Sequence, residues 1–222
     1  HKSLDFNPNI LPSYILLGQI YALKFDMENS LKYFETAQEK KLTNAALYLE
    51  WGKVLEKFEQ FDEAILKLLK ALEFEPDNIE INSYLGLCYA SRKEFDEAQP
   101  LLEKVLAKEP ENKIVKQALG IVAYEHDDIN KALELLRADD EDAVNSYYLA
   151  KCYEKMNNDT KVKDYYENAI LFNPKYIAAF TDYSRYLISR NEYPEAQRKL
   201  RKALKADENN IILLNLMFYV SY

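Results

Sequence analysis

The chain holds only four glycines, Gly18, Gly52, Gly86 and Gly120, and each follows the last by 34 residues. A glycine inside a helix costs about 1 kcal/mol relative to alanine, so its return at one phase of a fixed period needs a packing reason. Periods of this length mark chains built from stacked structural repeats. Other positions keep the same period. A small residue follows each glycine by twelve places (Ser30, Ala64, Ala98, Ala132), and a bulky apolar residue comes four later (Phe34, Leu68, Leu102, Leu136). A large residue precedes each glycine (Leu17, Trp51, Leu85, Leu119), and proline closes the units at Pro8, Pro76 and Pro110, with Leu42 the exception. The pattern predicts that a second helix passes each glycine too closely for a Cβ. The small residue twelve places on is the expected contact.

After Gly120 the register slips by four and resumes as Leu149-Ala150 and Tyr183-Ser184. The expected units are therefore 11–44, 45–78, 79–112, a shortened 113–142, 143–176 and 177–210, with the loss near Arg137–Asp142. His1–Ile10 reads as the end of an earlier second helix, and Ile211–Tyr222 as the first helix of a seventh unit. The whole chain is expected to form one repeat domain.

Each unit reads as two helices. In the second, Tyr48, Trp51, Gly52 and Leu55 share one helical face at i, i+3, i+4, i+7. Asp62-Glu63 opens a second helix with acids at its positive end, Ala64, Leu68, Ala71 and Leu72 form its apolar stripe, and Pro76 stops it. A lone hairpin cannot bury such a face, so neighbours must stack. Two prolines fall inside second helices. Pro194 sits in a first turn, where proline is tolerated; Pro100 lies further in, where it deletes a hydrogen bond and is expected to bend the helix slightly.

The third unit gives Leu85-Gly86, Tyr89, Ala98, Leu102, Val105 and Pro110. This order and spacing resemble the tetratricopeptide repeat, and the resemblance runs through nearly the whole chain. It departs at Val162, which stands at an alanine site, at Asp159, where an apolar residue is usual, and in the shortened fourth unit. The resemblance implies an all-α fold, a right-handed α-solenoid superhelix of stacked antiparallel helix hairpins. It also implies a protein or peptide partner held along the concave face, which the first helices line.

Candidate groove positions lie at −3, −2, +1, +4 and +5 from each glycine. At +1 the series reads Gln19, Lys53, Leu87, Ile121, Lys151, Arg185, apolar in the middle with cations on both flanks. Four tyrosines, Tyr84, Tyr124, Tyr147 and Tyr148, exceed what the repeat needs for packing. Tyrosine offers wide contact area at low entropic cost together with a hydroxyl. The expected site is thus Lys53, Tyr84, Leu87, Ile121, Tyr124, Tyr147, Tyr148, Lys151 and Arg185. Its expected ligand is an extended or helical peptide with an apolar centre and acidic flanks. The clamp by which related co-chaperones hold a terminal carboxylate needs a Lys/Asn/Asn/Lys/Arg set over three units, and no run here has it.

Charge and composition narrow the classes further. The net charge is −8, which disfavours the phosphate neutralisation that dominates nucleic-acid binding. A pentatricopeptide-type RNA binder is disfavoured on the same ground. Cys88 and Cys152 read as buried small residues rather than a disulfide or CxxC pair, which suits a reducing, cytoplasmic location. No apolar run is long enough to span a bilayer, so no membrane insertion is expected. The run Asp139-Asp140-Glu141-Asp142 reads as a solvated linker that caps the helix starting near Ala143; without a central glycine it is not a calcium loop. His1 and His126 supply no catalytic constellation, and no nucleotide or zinc motif occurs. The chain is therefore expected to be no enzyme and to need no cofactor or metal. The alternative is a regulatory or docking segment of a larger multidomain protein, since the chain begins without Met. The strongly apolar stretch from Ile211 to Val220 is expected either to self-associate or to be continued by further chain.

Overall fold

A computed structural model describes residues 11–139 and 141–221. The helix end read for His1–Ile10 lies outside the described residues, as do Asp140 and Tyr222. Among the described residues there are thirteen α-helices and no strand, which is the all-α class expected from the repeat. In chain order they are α1 Leu11–Leu23, α2 Met27–Glu39, α3 Ala45–Lys57, α4 Phe61–Phe74, α5 Ile79–Ser91, α6 Phe95–Leu106 and α7 Lys113–Glu125. There follow α8 Ile129–Leu136 with a 3-10 turn at Arg137–Asp139, α9 Ala143–Lys155, α10 Asp159–Phe172, α11 Ile177–Ser189, α12 Tyr193–Leu204 and α13 Ile211–Tyr219.

The chain forms two compact units, divided between Val122 and Ala123. In the first, α1 pairs with α2, α3 with α4 and α5 with α6, while α1 also meets α3 and α3 meets α5. Its core runs from Tyr14 through Phe34, Trp51 and Leu68 to Leu85 and Cys88. In the second, α9 pairs with α10 and α11 with α12, and α13 packs on both α11 and α12. Its core centres on Leu136, Leu149, Tyr166, Phe180 and Leu200.

Local chemistry explains each hairpin. The turn between the paired helices places one residue in the left-handed region, and these recur as Phe25, Glu59, Lys93, Asp127, Asn157 and Asn191. None is glycine. The backbone amide one residue later reaches back to the helix, as in Gln60 N to Leu55 O at 2.9 Å and Glu94 N to Tyr89 O at 2.9 Å. That bond, together with the left-handed residue, is the Schellman ending of a helix. Asparagine and aspartate side chains then cap the helices that follow, among them Asn44, Asn78, Asp128 and Asn158. Asp142 accepts from the Val144 and Asn145 amides, both at 2.9 Å, so the end of the acidic run caps α9 as its sequence suggests. Asp62 and Glu63 occupy the first turn of α4, which ends at Phe74 just before Pro76. Pro194 sits in the first turn of α12, and α6 continues through Pro100.

Gly18, Gly52 and Gly86 do face a close neighbour, but it is a different one from that expected. A Cβ on Gly18 would meet Phe34 Cζ at 2.5 Å, on Gly52 Leu68 Cγ at 2.6 Å, and on Gly86 Leu102 Cδ2 at 2.8 Å. The group that excludes a methyl is therefore the bulky residue sixteen places on, not the small one at twelve. Helical side chains lean toward the helix N-terminus, so a spot on the helix is covered by a residue further along. The residue at twelve approaches the backbone instead: Ser30 Oγ donates to the Gly18 carbonyl at 2.6 Å.

Candidate functional site

The first helices α1, α3 and α5 carry the candidate face of the first unit. Lys53, Tyr84 and Leu87 are half-buried there, as is Ile121 on α7. Lys53 is not a free cation. Its ammonium donates to Glu50 at 2.7 Å and also pairs with Glu80. Burial alone would lower its pKa, but the hydrogen bonds to Glu50 and Glu80 outweigh that and hold it up. The same ammonium lies 5.3 Å from the centre of the Tyr84 ring. An acidic flank on a ligand would find this lysine already neutralised.

Two clefts open on this face. One, of about 640 Å³, is lined by Ile79, Tyr84, Leu87 and Ile114 with Glu56, Glu80 and Glu109. The other, of about 500 Å³, is lined by Leu16, Ile20, Leu23 and Val54 with Lys53, Lys57 and again Glu56 and Tyr84. Glu56 and Tyr84 thus form a wall common to both. Burial pushes the Glu56 carboxyl above its ordinary value, and among the described residues no cation opposes the shift.

The second unit arranges its share differently. Tyr147 and Tyr124 are buried, 7% and 9% exposed, so they offer little surface. The Tyr147 hydroxyl donates to Asp182 at 2.5 Å, and burial followed by that bond drives its pKa far up. Burial also pushes Tyr124 up to about 12. Tyr148 and Lys151 are half-buried, and Arg185 is exposed. The Lys151 ammonium lies 5.2 Å from the ring centres of Tyr124 and Tyr147 and 5.7 Å from that of Tyr148. The ammonium also donates to the Tyr147 hydroxyl at 3.5 Å, and three aromatic rings surround it, each cation–π contact worth about 0.5–1 kcal/mol when exposed. Arg185 pairs with Asp182 at 3.1 Å.

The structure therefore brings Tyr124, Tyr147, Tyr148 and Lys151 together in the second unit, and Lys53, Tyr84 and Leu87 onto the cleft walls of the first. Glu56 was missed. It stands at +4 from Gly52, inside the stated frame of groove positions, but the sequence does not show that it is half-buried and, among the described residues, without a counter-ion. Asp159 and Val162, the departures from the repeat, also have roles. Asp159 accepts from the Tyr186 hydroxyl at 2.7 Å and from Arg190 at 2.6 Å, and Val162 is fully buried.

Other chemistry is thin. Cys88 and Cys152 are buried free thiols whose pKa values burial pushes up to about 12 and about 11, which holds them protonated at neutral pH. Among the described residues no group of acidic, His or Cys side chains is disposed to hold a metal ion, and no helix is long and apolar enough to cross a membrane.

Family profiles described as tetratricopeptide repeat match residues 11–39, 49–98 and 89–152. No curated protein sequence matches the chain. Solved structures similar to it include Pseudomonas aeruginosa pilF, at 20% identity over 80% of this chain and 82% of that one, with a TM-score of 0.66. A chain of the APC/C hetero-tetramer Cut9–Hcn1 matches at 15% identity with a TM-score of 0.78, over 99% of this chain but 44% of that one. YrrB, a TPR protein with an unusual peptide-binding site, matches at 20% identity with a TM-score of 0.58, over 82% of this chain and 96% of that one. At these identities the likeness concerns the fold.

Proposed function

The chain belongs to the tetratricopeptide-repeat family, and on that premise we propose that it is a protein-interaction scaffold whose first-helix faces take a peptide or protein segment. The observation that carries this reading is the pair of open clefts on the first unit. They mix half-exposed apolar walls with a few polar groups, as binding sites for organic ligands do. In the second unit the caged Lys151 and the half-buried Tyr148 offer a cation and an aromatic surface for an acidic or apolar side chain of the ligand. Repeat proteins bind along such extended faces.

The test is a paired pull-down from the source lysate. One bait is the wild-type chain; the other carries Leu87→Asp and Lys151→Glu and is checked for unchanged helicity by circular dichroism. Proteins retained by the wild type and lost by the variant are the expected result. Equal retention by both baits would move recognition away from these faces.

A further inference from the structure

In the larger cleft of the first unit, the charge left over after internal pairing is negative. The larger cleft is lined by three carboxylates, Glu56, Glu80 and Glu109, and by no lysine, arginine or histidine. Glu80 is spent on Lys53. Glu109 accepts from Asn112 Nδ2 at 2.8 Å, a neutral donor that leaves its charge in place. Glu56 has neither a cation nor a hydrogen-bond donor on its carboxylate among the described residues. In the smaller cleft Lys53 is spent on Glu50 and Glu80, while Lys57 donates to the neutral Ala22 carbonyl at 3.2 Å and sits 5.0 Å from the centre of the Phe25 ring, so its charge, like that of Glu109, stays in place.

Around this carboxylate each cleft has open apolar wall residues. Leu16 is 56% exposed and Leu23 72% on the side of the smaller cleft, and Ile114 is 65% exposed on the side of the larger. Glu56 lies on the wall that the two clefts share. A metal ion does not answer this arrangement, because among the described residues no acidic side chains converge closely enough to hold one. A nucleic acid or an anionic membrane carries the wrong sign. A half-buried carboxylate between two apolar hollows is complemented by a flexible cation with apolar neighbours on either side.

We propose that the first unit docks a protein segment in which a lysine or arginine is flanked by apolar side chains, the cation seating on Glu56 between the two clefts. The inference rests on the reading of the first-helix faces as the binding surface and specifies its ligand there. Apolar residues on one side of the cation enter the hollow of Leu16 and Leu23, and those on the other enter the hollow of Leu87 and Ile114. Glu109 adds a longer-range attraction that speeds encounter and weakens with salt. The ligand chemistry is opposite in sign to that suited to Lys151 in the second unit.

A random twelve-residue peptide library displayed on phage, panned over the full chain, tests this. Wild type is expected to enrich peptides with Lys or Arg between apolar residues. For the best of them, made synthetically and followed by fluorescence anisotropy, Glu56→Gln is expected to weaken binding by about tenfold, the usual scale for losing one partner of a partly desolvated charge pair. Glu56→Lys, panned afresh, is expected to select Asp or Glu in place of the cation. Because Glu56 has no partner to lose among the described residues, Gln at this position is expected to keep the fold, which circular dichroism checks. Peptides whose affinity falls with Leu87→Asp but not with Glu56→Gln would overturn this inference and leave the binding face standing. Enrichment of no peptide at all would overturn both.

Discussion

The second and fifth repeats share a lysine at +1 and a glutamate at +4, yet they leave opposite charges unanswered. In the second, Lys53 is neutralised by Glu50 and Glu80 while Glu56 stands alone. In the fifth, Glu154 accepts from the Tyr166 hydroxyl, and Lys151 has aromatic rings around it and, among the described residues, no carboxylate within ion-pair distance, acting on Glu154 only across a longer gap. The neighbours decide this. Position −2 is Glu50 in one repeat and Tyr148 in the other; the bulky residue at +16 is Leu68 in one and Tyr166 in the other. Where Leu68 presses on Gly52, no polar atom of the described residues bonds to Glu56. Where Tyr166 replaces leucine, the glycine becomes Ala150 and the hydroxyl satisfies the glutamate. A repeat position fixes where a side chain stands, and its partners fix what it can recognise.

Exchanging the +16 residue should break this contrast most sharply. Tyr166 is fully buried and stacks on Tyr183 with ring centres 5.1 Å apart. Tyr166→Leu removes ring volume and leaves Glu154 half-buried without its donor. The expected loss is about 3 kcal/mol, from cavity formation plus an orphaned acceptor, read as a lower urea midpoint. Tyr166→Phe, which keeps the ring, should lose about 1 kcal/mol. A loss below that for the leucine variant would mean that the two repeats are interchangeable here.

The position opposite sharpens the comparison through its sign. Gly52→Ala should destabilise by about 1–2 kcal/mol although alanine is the better helix former, because its Cβ would fall 2.6 Å from Leu68 Cγ, which is branched and cannot swing away as a flexible end would. Ala150→Gly should also destabilise, by about 1 kcal/mol, since the fifth repeat already accommodates the methyl. Stabilisation by Gly52→Ala in thermal melts would show that Leu68 yields at no cost. A smaller effect is expected from Lys53→Met, about 0.5 kcal/mol lost as Glu50 and Glu80 are left facing each other, fading in high salt. The like change at Lys151 removes no close ion pair, only a longer-range attraction to Glu154, and should show a weaker salt dependence.

Much of this architecture was legible in the sequence. Gly52 and Trp51 announced a close helix crossing, and Asp62 with Pro76 bracketed α4. What the sequence left open was direction. Nothing in the spacing distinguishes Ala64 from Leu68 as the group that covers Gly52, because the answer depends on the lean of helical side chains. Tyr147 and Tyr148 are adjacent and of one type, yet about 100° of helical rotation sends the first inward and leaves the second half-exposed. Leu49, the buried residue at the same −3 position as Tyr147, was the available signal. The pairing of Lys53 was harder to see, since Glu80 comes from the next repeat and only the folded geometry brings it within reach.

The smallest effect bears most directly on the unpaired carboxylate. Burial raises the Glu56 pKa in the folded chain above the value of about 4.3 that an unfolded glutamate has. The folded state therefore holds its proton to higher pH than the unfolded state does, and stability falls as pH rises through that window. Above the window the charged, partly desolvated carboxylate opposes folding; below about pH 4 it is protonated in both states and the penalty is gone. Glu56→Gln removes the charge at every pH. It should stabilise the chain at pH 7 by about 0.3 kcal/mol, a figure kept small because solvent still screens the group, and by nothing at pH 3.5. Urea titrations of both proteins at the two pH values measure the difference. A loss of stability at pH 7 would reveal a cation already seated on Glu56 and would remove the asymmetry between the two repeats, whereas an equal gain at both pH values would trace the effect to packing rather than to charge.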